Sequence, residues 1–90
     1  MKNLEWRNLY SHTDEPDKMN RWARLLYCNN LLIGWVNRIE HDGKVVFQAH
    51  SYFPIIENSH SSFYSAKWDT FEESKNSIET LWVEFKEKIK

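Results

Sequence analysis

Two short turn signals constrain the fold of this chain more than any other feature. Asn29-Asn30 separates two apolar runs, Arg21 to Cys28 and Leu31 to Ile39. Asp42-Gly43 separates the second run from a third, Lys44 to Tyr52. Asparagine, aspartate and glycine tolerate the positive φ angles that both central residues of a two-residue type I′ turn require. The pattern therefore predicts three consecutive antiparallel strands joined by two tight hairpins.

The C-terminal part of the chain predicts one amphipathic helix over residues 70–89. Thr70 and Glu73 have the spacing of a capping box, in which each side chain satisfies a backbone N–H group of the other residue. Beyond this cap, apolar residues recur at helical spacing, with one small serine among them. The members of this stripe are Phe71, Ser74, Ile78, Leu81, Trp82, Phe85 and Ile89.

The remaining segments complete one domain over residues 1–90, because 90 residues leave no room for a second. Residues 1–20 predict an N-terminal segment, either a short strand or a turn of helix, followed by a polar loop. Residues 21–68 predict the antiparallel sheet, which includes a loop over Phe53 to Ser62 and a short strand over Phe63 to Trp68. The predicted fold class is α+β, with a three- or four-stranded antiparallel meander packed on one C-terminal α-helix.

The charge balance and the cysteine content exclude several classes of protein. The chain has 12 basic and 13 acidic residues, so it lacks the cationic excess of a typical nucleic-acid binder. Cys28 is the single cysteine, so the fold does not depend on a disulfide or on an oxidising compartment. No apolar run approaches the length of a membrane span. We therefore expect a cytoplasmic protein that does not contact a membrane.

No catalytic, cofactor or metal constellation is predicted. The histidines His12, His41, His50 and His60 show no metal-ligand spacing. The acidic loop around His12, Asp14, Glu15 and Asp17 lacks the glycine turn and the spaced oxygen ligands of a calcium loop. With 2 glycines, the chain lacks a glycine-rich phosphate loop. Neither Cys28 nor the serines around His60 have a base and an orienting group that the sequence identifies. We predict a protein that is not an enzyme and that holds no cofactor.

The two turns fix a register, and the register sorts the strand residues onto two faces. The first face carries Ala23, Leu25, Tyr27, Leu32, Gly34, Val36, Phe47 and Ala49. The second face carries Trp22, Arg24, Leu26, Cys28, Leu31, Ile33, Trp35, Ile39, Val46, Gln48 and His50. The small residues of the first face leave space for the bulky helix. Because one helix covers one face, the second face is expected to remain open.

An open face rich in tryptophan and arginine is typical of a protein interface. The candidate partner-binding residues are Trp22, Arg24, Leu26, Ile33, Trp35 and His50. The partner could be a protein target or a second copy in a homodimer. Two alternatives stay open: Leu4 to Tyr10 could fold back over this face, or a one-residue slip could exchange the two faces.

A nucleic acid is the alternative partner, because a three-stranded sheet backed by a helix can read a DNA groove. The residues available for this are Arg24, Trp22, Trp35, Gln48 and His50, with Arg21, Arg38 and Lys44 nearby. The modest positive charge argues against it.

Three segments carry a resemblance to known proteins. They are Leu32-Ile33-Gly34-Trp35-Val36, then Phe47-Gln48-Ala49, then Trp68-Asp69-Thr70-Phe71-Glu72-Glu73-Ser74-Lys75 followed by Ile78-Glu79. In these segments the stretch Leu31 to Trp82 resembles small uncharacterised βββα proteins of phages, prophages and bacterial accessory genomes, with Ser74 where alanine is usual. The topology is also similar to plant AP2-type and integrase arm-binding DNA readers, whose basic strand pattern is largely missing here.

The phage-type resemblance implies a short accessory protein that binds and blocks a defence or host protein inside the bacterial host cell. Together with the open face, it gives the leading prediction: a non-enzymatic, protein-binding module, such as a phage-encoded inhibitor. A small nucleic-acid-binding regulator that uses the open sheet face is the alternative.

Overall fold

The computed structural model describes residues 3–10, 13, 15, 16, 18, 19, 21–57 and 60–88, excluding the side chains of residues 56, 57, 60 and 61. Within them, five β-strands precede one α-helix: β1 (Leu4–Asn8), β2 (Ala23–Cys28), β3 (Leu31–His41), β4 (Lys44–Glu57), β5 (His60–Trp68) and α1 (Phe71–Lys88). The strands form one antiparallel sheet in the order β1-β2-β3-β4-β5. The α+β class, the meander and the C-terminal helix are confirmed. The strand number exceeds the predicted three or four, because β1 also pairs with β2.

Both predicted hairpin turns are present. All four central residues have positive φ: Asn29 51°, Asn30 67°, Asp42 53° and Gly43 74°. Cys28 pairs with Leu31 across the first turn, and His41 pairs with Lys44 across the second. The register predicted for β3 and β4 continues without a shift from the second turn to the pair Gly34 and Ser51.

A β-bulge in β3 alters the predicted register between β2 and β3. Leu26 pairs with Gly34 and Tyr27 pairs with Leu32, so Ile33 has no partner opposite it. The extra residue turns Leu26 onto the same face as Gly34. The predicted faces are therefore correct for β4 and for β3 from Gly34 onward, but exchanged for β2 and for residues 31–33 of β3.

The predicted loop over Phe53 to Ser62 is wrong. β4 continues to Glu57, and β5 begins at His60. The strands pass Pro54 with a register shift between His50 and Pro54, as is usual for a proline inside a sheet. The Ser51 hydroxyl bridges this irregularity, since it donates to the Phe53 carbonyl oxygen at 2.7 Å and accepts from the Tyr64 N–H group at 2.9 Å.

The helix α1 packs across β4 and reaches β3 and β5, on one face of the sheet that we call the helix face. Its buried residues are Ser74, Ile78 and Trp82. Phe71, Leu81 and Phe85 are partly buried beside them, which confirms the predicted stripe over the described residues. Ile89, also predicted in the stripe, lies outside them.

Two groups of aromatic rings fill the space between helix and sheet. Trp6, Trp22, Phe47 and Phe71 pack near the start of α1, with Trp22 and Phe71 edge to face at 4.9 Å. Phe53, Trp82 and Phe85 pack toward its end. Between them the helix approaches the sheet closely, because Gly34 has no side chain to meet Ile78.

The helix begins at the predicted cap, with one difference in its hydrogen bonds. The Glu73 N–H group donates to the Thr70 hydroxyl at 3.1 Å, as expected. The Glu73 carboxylate accepts from the Thr70 hydroxyl at 3.1 Å, instead of from the Thr70 backbone N–H group. The first helical bond, from the Ser74 N–H group to the Thr70 carbonyl oxygen, follows at 3.2 Å.

Replacing this cap should weaken the fold measurably. We expect Thr70→Ala to lower the free energy of unfolding by about 1 kcal/mol, because the Glu73 N–H group loses its acceptor. Thr70→Gly should cost less, since the residue at a cap is not helical and glycine leaves the N–H groups open to water. Urea denaturation of both variants measures this. Equal stability of both variants and the parent would mean that the hydroxyl does not stabilise the helix start.

Candidate functional site

The sheet surface opposite α1, here called the open face, is the main candidate site. In the described part of the chain, α1 contacts β3, β4 and β5 from the other side, and no element packs on the open face. The molecule is only 17 Å across in its smallest dimension, which corresponds to one sheet and one helix layer. The alternative that Leu4 to Tyr10 fold over this face is wrong, because β1 extends the sheet edge.

The side chains of the open face lie in rows that cross the strands. The central row contains one residue from each strand: Arg7, Leu25, Trp35, His50 and Ser65. A neighbouring row contains Ala23, Asn37, Gln48 and Lys67. Leu25 and Trp35 are both partly exposed, so the middle of the face is apolar and reachable from solvent.

A stacked pair of rings lies at the centre of the open face. The rings of Trp35 and His50 are 4.4 Å apart, with an angle of 16° between their planes. The Nε2 atom of His50 lies 3.1 Å from the Oδ1 atom of Asn37, and this contact holds the imidazole in place. Burial, and secondarily the positive charge of Lys67, lower the pKa of His50 below its ordinary value of 6.5. This lowered pKa favours the uncharged form of the imidazole.

Arg7 occupies the β1 end of the open face. Its guanidinium lies 4.0 Å above the centre of the Tyr27 ring. Its Nη2 atom donates to the Glu5 carboxylate at 2.9 Å and to the Asn30 side-chain oxygen at 2.9 Å. The hydrogen bond from Arg7 lowers the pKa of Glu5. These contacts fix the only cation of the central row in one orientation.

Two exposed aromatic residues extend the open face toward the far end of β4 and β5. Tyr52 is 54% exposed, and its neighbours Ser51 and Phe53 are buried. Phe63 is 69% exposed, whereas the next residue, Tyr64, packs against the core. Because successive strand residues point to opposite faces, both exposed rings belong to the open face.

Comparison with family models, with curated proteins and with solved structures finds no match to this chain. The site is therefore defined by its geometry.

The structure separates the six residues that the sequence grouped as one surface. Four of them are at most 5% exposed and therefore buried: Trp22, Arg24, Leu26 and Ile33. Only Trp35 and His50 lie on the open face. The predicted exposure of the other four is wrong because of the bulge, which directs the opposite face of β2 toward the helix and Ile33 into the core. The open face instead carries Leu25, Tyr27 and Arg7. A glycine within an apolar strand is a signal of a bulge, so Gly34 could have indicated this change.

Arg24, which was expected to meet a partner, instead has a structural role. Its Nη1 atom donates to the Ala23 carbonyl oxygen at 3.0 Å, and its Nη2 atom donates to the carbonyl oxygen of Thr13. Its guanidinium lies 4.3 Å above the Trp22 ring. Arg24 thereby ties Thr13 to β2, and its charge is not available to a phosphate group.

A concave surface lies between α1 and β5. This groove of about 490 Å³ is lined by Tyr64, Trp68, Glu73, Asn76, Ser77, Thr80 and Leu81. The Trp68 Nε1 atom donates to the Tyr64 hydroxyl at 3.1 Å, so these two rings form a continuous wall with their polar atoms paired.

Among the described residues, no three His, Cys, Asp or Glu side chains are grouped to hold a metal ion. His12, Asp14, Asp17 and Ser59 lie outside those residues. The described residues also contain no helix with the length and apolar character needed to cross a membrane.

Proposed function

We propose that this chain is a non-enzymatic protein-binding module and that the open face is its contact surface. The observation that carries the proposal is the Trp35 and His50 stack, which lies at the centre of a sheet face that no described element covers. The target is a protein rather than a small molecule, because the face is flat and broad rather than concave.

The chemistry of the open face resembles that of protein interfaces. Tryptophan, tyrosine and arginine supply most of the binding energy at such interfaces, and Trp35, Tyr27 and Arg7 are brought together here. The uncharged state of His50 lets the centre of the face lose its water without the cost of burying a charge. The hydrogen-bonded Asn37 and the clamped Arg7 are already ordered, so binding loses little side-chain entropy.

The predicted class of target is a bacterial defence or host protein that the module blocks. This part of the proposal rests on the phage-type sequence resemblance and not on the geometry. A homodimer through the open face and a nucleic acid on the same face are the alternatives that the following experiment distinguishes.

The variant Trp35→Glu should remain folded and lose its target. The large ring would be replaced by a charge that must be desolvated in the complex, and we expect binding to weaken by at least about thirtyfold. Leu31→Glu is the matched control, because Leu31 is 62% exposed and lies beside the first hairpin turn, off the open face. Immobilised parent and both variants are incubated with a bacterial lysate, and a target is a protein that the parent and Leu31→Glu retain and Trp35→Glu does not.

Three results would contradict the proposal, and a fourth would identify a second copy as the partner. Unfolding of Trp35→Glu, seen by circular dichroism, would mean that the ring belongs to a core. A target retained by Trp35→Glu would place the contact elsewhere. Binding of DNA or RNA that weakens steeply with salt would favour the nucleic-acid alternative. Loss of self-association in Trp35→Glu would indicate that the partner is a second copy.

A further inference from the structure

The outer edge of β1 presents backbone groups that no described residue pairs. The Leu9 N–H group donates to the Ala23 carbonyl oxygen at 3.2 Å, and the Asn29 N–H group donates to the Asn3 carbonyl oxygen at 3.3 Å. These bonds show that the odd-numbered residues of β1 are the ones bonded to β2. In an antiparallel ladder, the N–H and C=O groups of the alternate residues point the other way. The outward groups therefore belong to Leu4, Trp6 and Asn8.

We propose that β1 pairs antiparallel with β1 of a second copy, about a two-fold axis that passes beside Trp6. The two sheets then join into one continuous sheet. Trp6 exchanges two hydrogen bonds with its counterpart, and Leu4 of each copy exchanges two with Asn8 of the other. These three residues are the ones whose backbone groups point outward, so the pairing satisfies the free edge of each copy. This inference goes beyond the proposed function and does not depend on it.

The charges of β1 select this register. With the axis beside Trp6, Glu5 of each copy lies opposite Arg7 of the other, on the open-face side. Such a pair is not hydrogen-bonded through the backbone, so its side chains approach closely. An axis beside residue 5 or residue 7 would keep the outward backbone bonds but would bring two Glu5 or two Arg7 side chains together. Opposite charges across strands stabilise the pairing, and like charges destabilise it.

The other side of β1 also fits a second copy. Trp6 is partly buried on the helix face, where its Nε1 atom donates to the Glu79 carboxylate at 2.7 Å and its ring meets Phe71 edge to face at 5.8 Å. The two-fold axis brings the Trp6 ring of the second copy next to the part of the first Trp6 ring that is exposed. By contrast, the described side chains of the edge strand β5 carry one charge, that of Lys67, with no opposite charge to meet it. A lysine of this kind is a common protection against edge pairing.

Two charge reversals and their mixture test the proposal. Glu5→Arg and Arg7→Glu each place like charges opposite one another at both symmetric positions, and we expect each to weaken dimerisation about tenfold. In a mixture of the two variants, position 5 of one copy again meets an opposite charge at position 7 of the other. The mixture should dimerise as tightly as the parent. The Glu5 and Arg7 pair within one chain stays broken in both variants, so only a contact between copies explains a recovery.

Sedimentation velocity from micromolar to millimolar concentration measures all four samples, and circular dichroism checks that each variant is folded. The expected result is a parent that dimerises, single variants shifted toward monomer and a mixture that recovers. A parent that stays monomeric overturns the proposal. Single variants that dimerise like the parent, or a mixture that stays monomeric, also overturn it. Trp35→Glu should dimerise like the parent, which separates this test from that of the open face.

Discussion

Replacement of Trp82 by alanine should lower the free energy of unfolding by about 3–5 kcal/mol, a large share of the stability of a domain this small. Trp82 is 8% exposed, and its ring lies 5.1 Å from that of Phe53 and 5.7 Å from that of Phe85. Alanine would leave a cavity where the end of the helix meets the sheet. Denaturation with guanidinium, followed by circular dichroism, measures the change.

Two further substitutions sharpen this test. Glu84→Ala removes an exposed side chain from the same helix and should cost about half a kcal/mol or less. Trp82→Phe keeps an aromatic ring and removes the indole N–H group, which has no hydrogen-bond partner among the described residues. Because an unpaired buried donor is itself unfavourable, Trp82→Phe should cost much less than Trp82→Ala. Equal shifts of the denaturation midpoint for Trp82→Ala and Glu84→Ala would show that the helix presents another face to the sheet.

The second large effect is expected at Gly34, where a side chain does not fit. A Cβ atom there would lie 2.8 Å from the His50 carbonyl oxygen and would overlap the Cδ1 atom of Ile78. We expect Gly34→Val to destabilise the protein by about 3 kcal/mol and Gly34→Ala by about 1–2 kcal/mol, because overpacking forces the helix away from the sheet. Thermal and urea unfolding of this graded series give the two values.

A double substitution identifies which contact causes the loss. Ile78→Val removes the Cδ1 atom and should by itself cost about 0.5–1.5 kcal/mol. Combined with Gly34→Ala, it should recover part of the loss, since the side-chain overlap disappears and the contact with the His50 carbonyl remains. Full additivity of the two changes would mean that α1 does not cross the sheet at Gly34.

The sequence was informative wherever one side chain or one turn determines the local backbone. The positive φ angles of Asp42 and Gly43 define a turn of fixed length, and the β3 and β4 register follows from it. The cap at Thr70 defines the helix start in the same way. The positions of Trp35 and His50 on the open face depend only on these two strands and were therefore predictable.

The β2 register could not be predicted from alternation alone, because both faces of this strand are apolar. Leu25 and Leu26 are equally suited to the core, so the pattern does not show which of them points inward. The bulge at Ile33 decides the matter, because it places Leu26 opposite Gly34 on the helix face. The strand β1 could have been predicted from its sequence. Leu4 and Trp6 alternate with Glu5 and Arg7, which is the pattern of a half-buried strand.

The position of α1 after the sheet in the sequence affects how the chain folds during synthesis. The ribosome makes all five strands before the residues of α1 that complete the core with Val36 and Ala49 exist. Until α1 emerges, the sheet would expose apolar side chains on both of its faces, and such surfaces promote aggregation of nascent chains. The strands are therefore expected to gain stable structure only after translation of α1. Lys67 of β5 would protect that edge of the sheet during this interval.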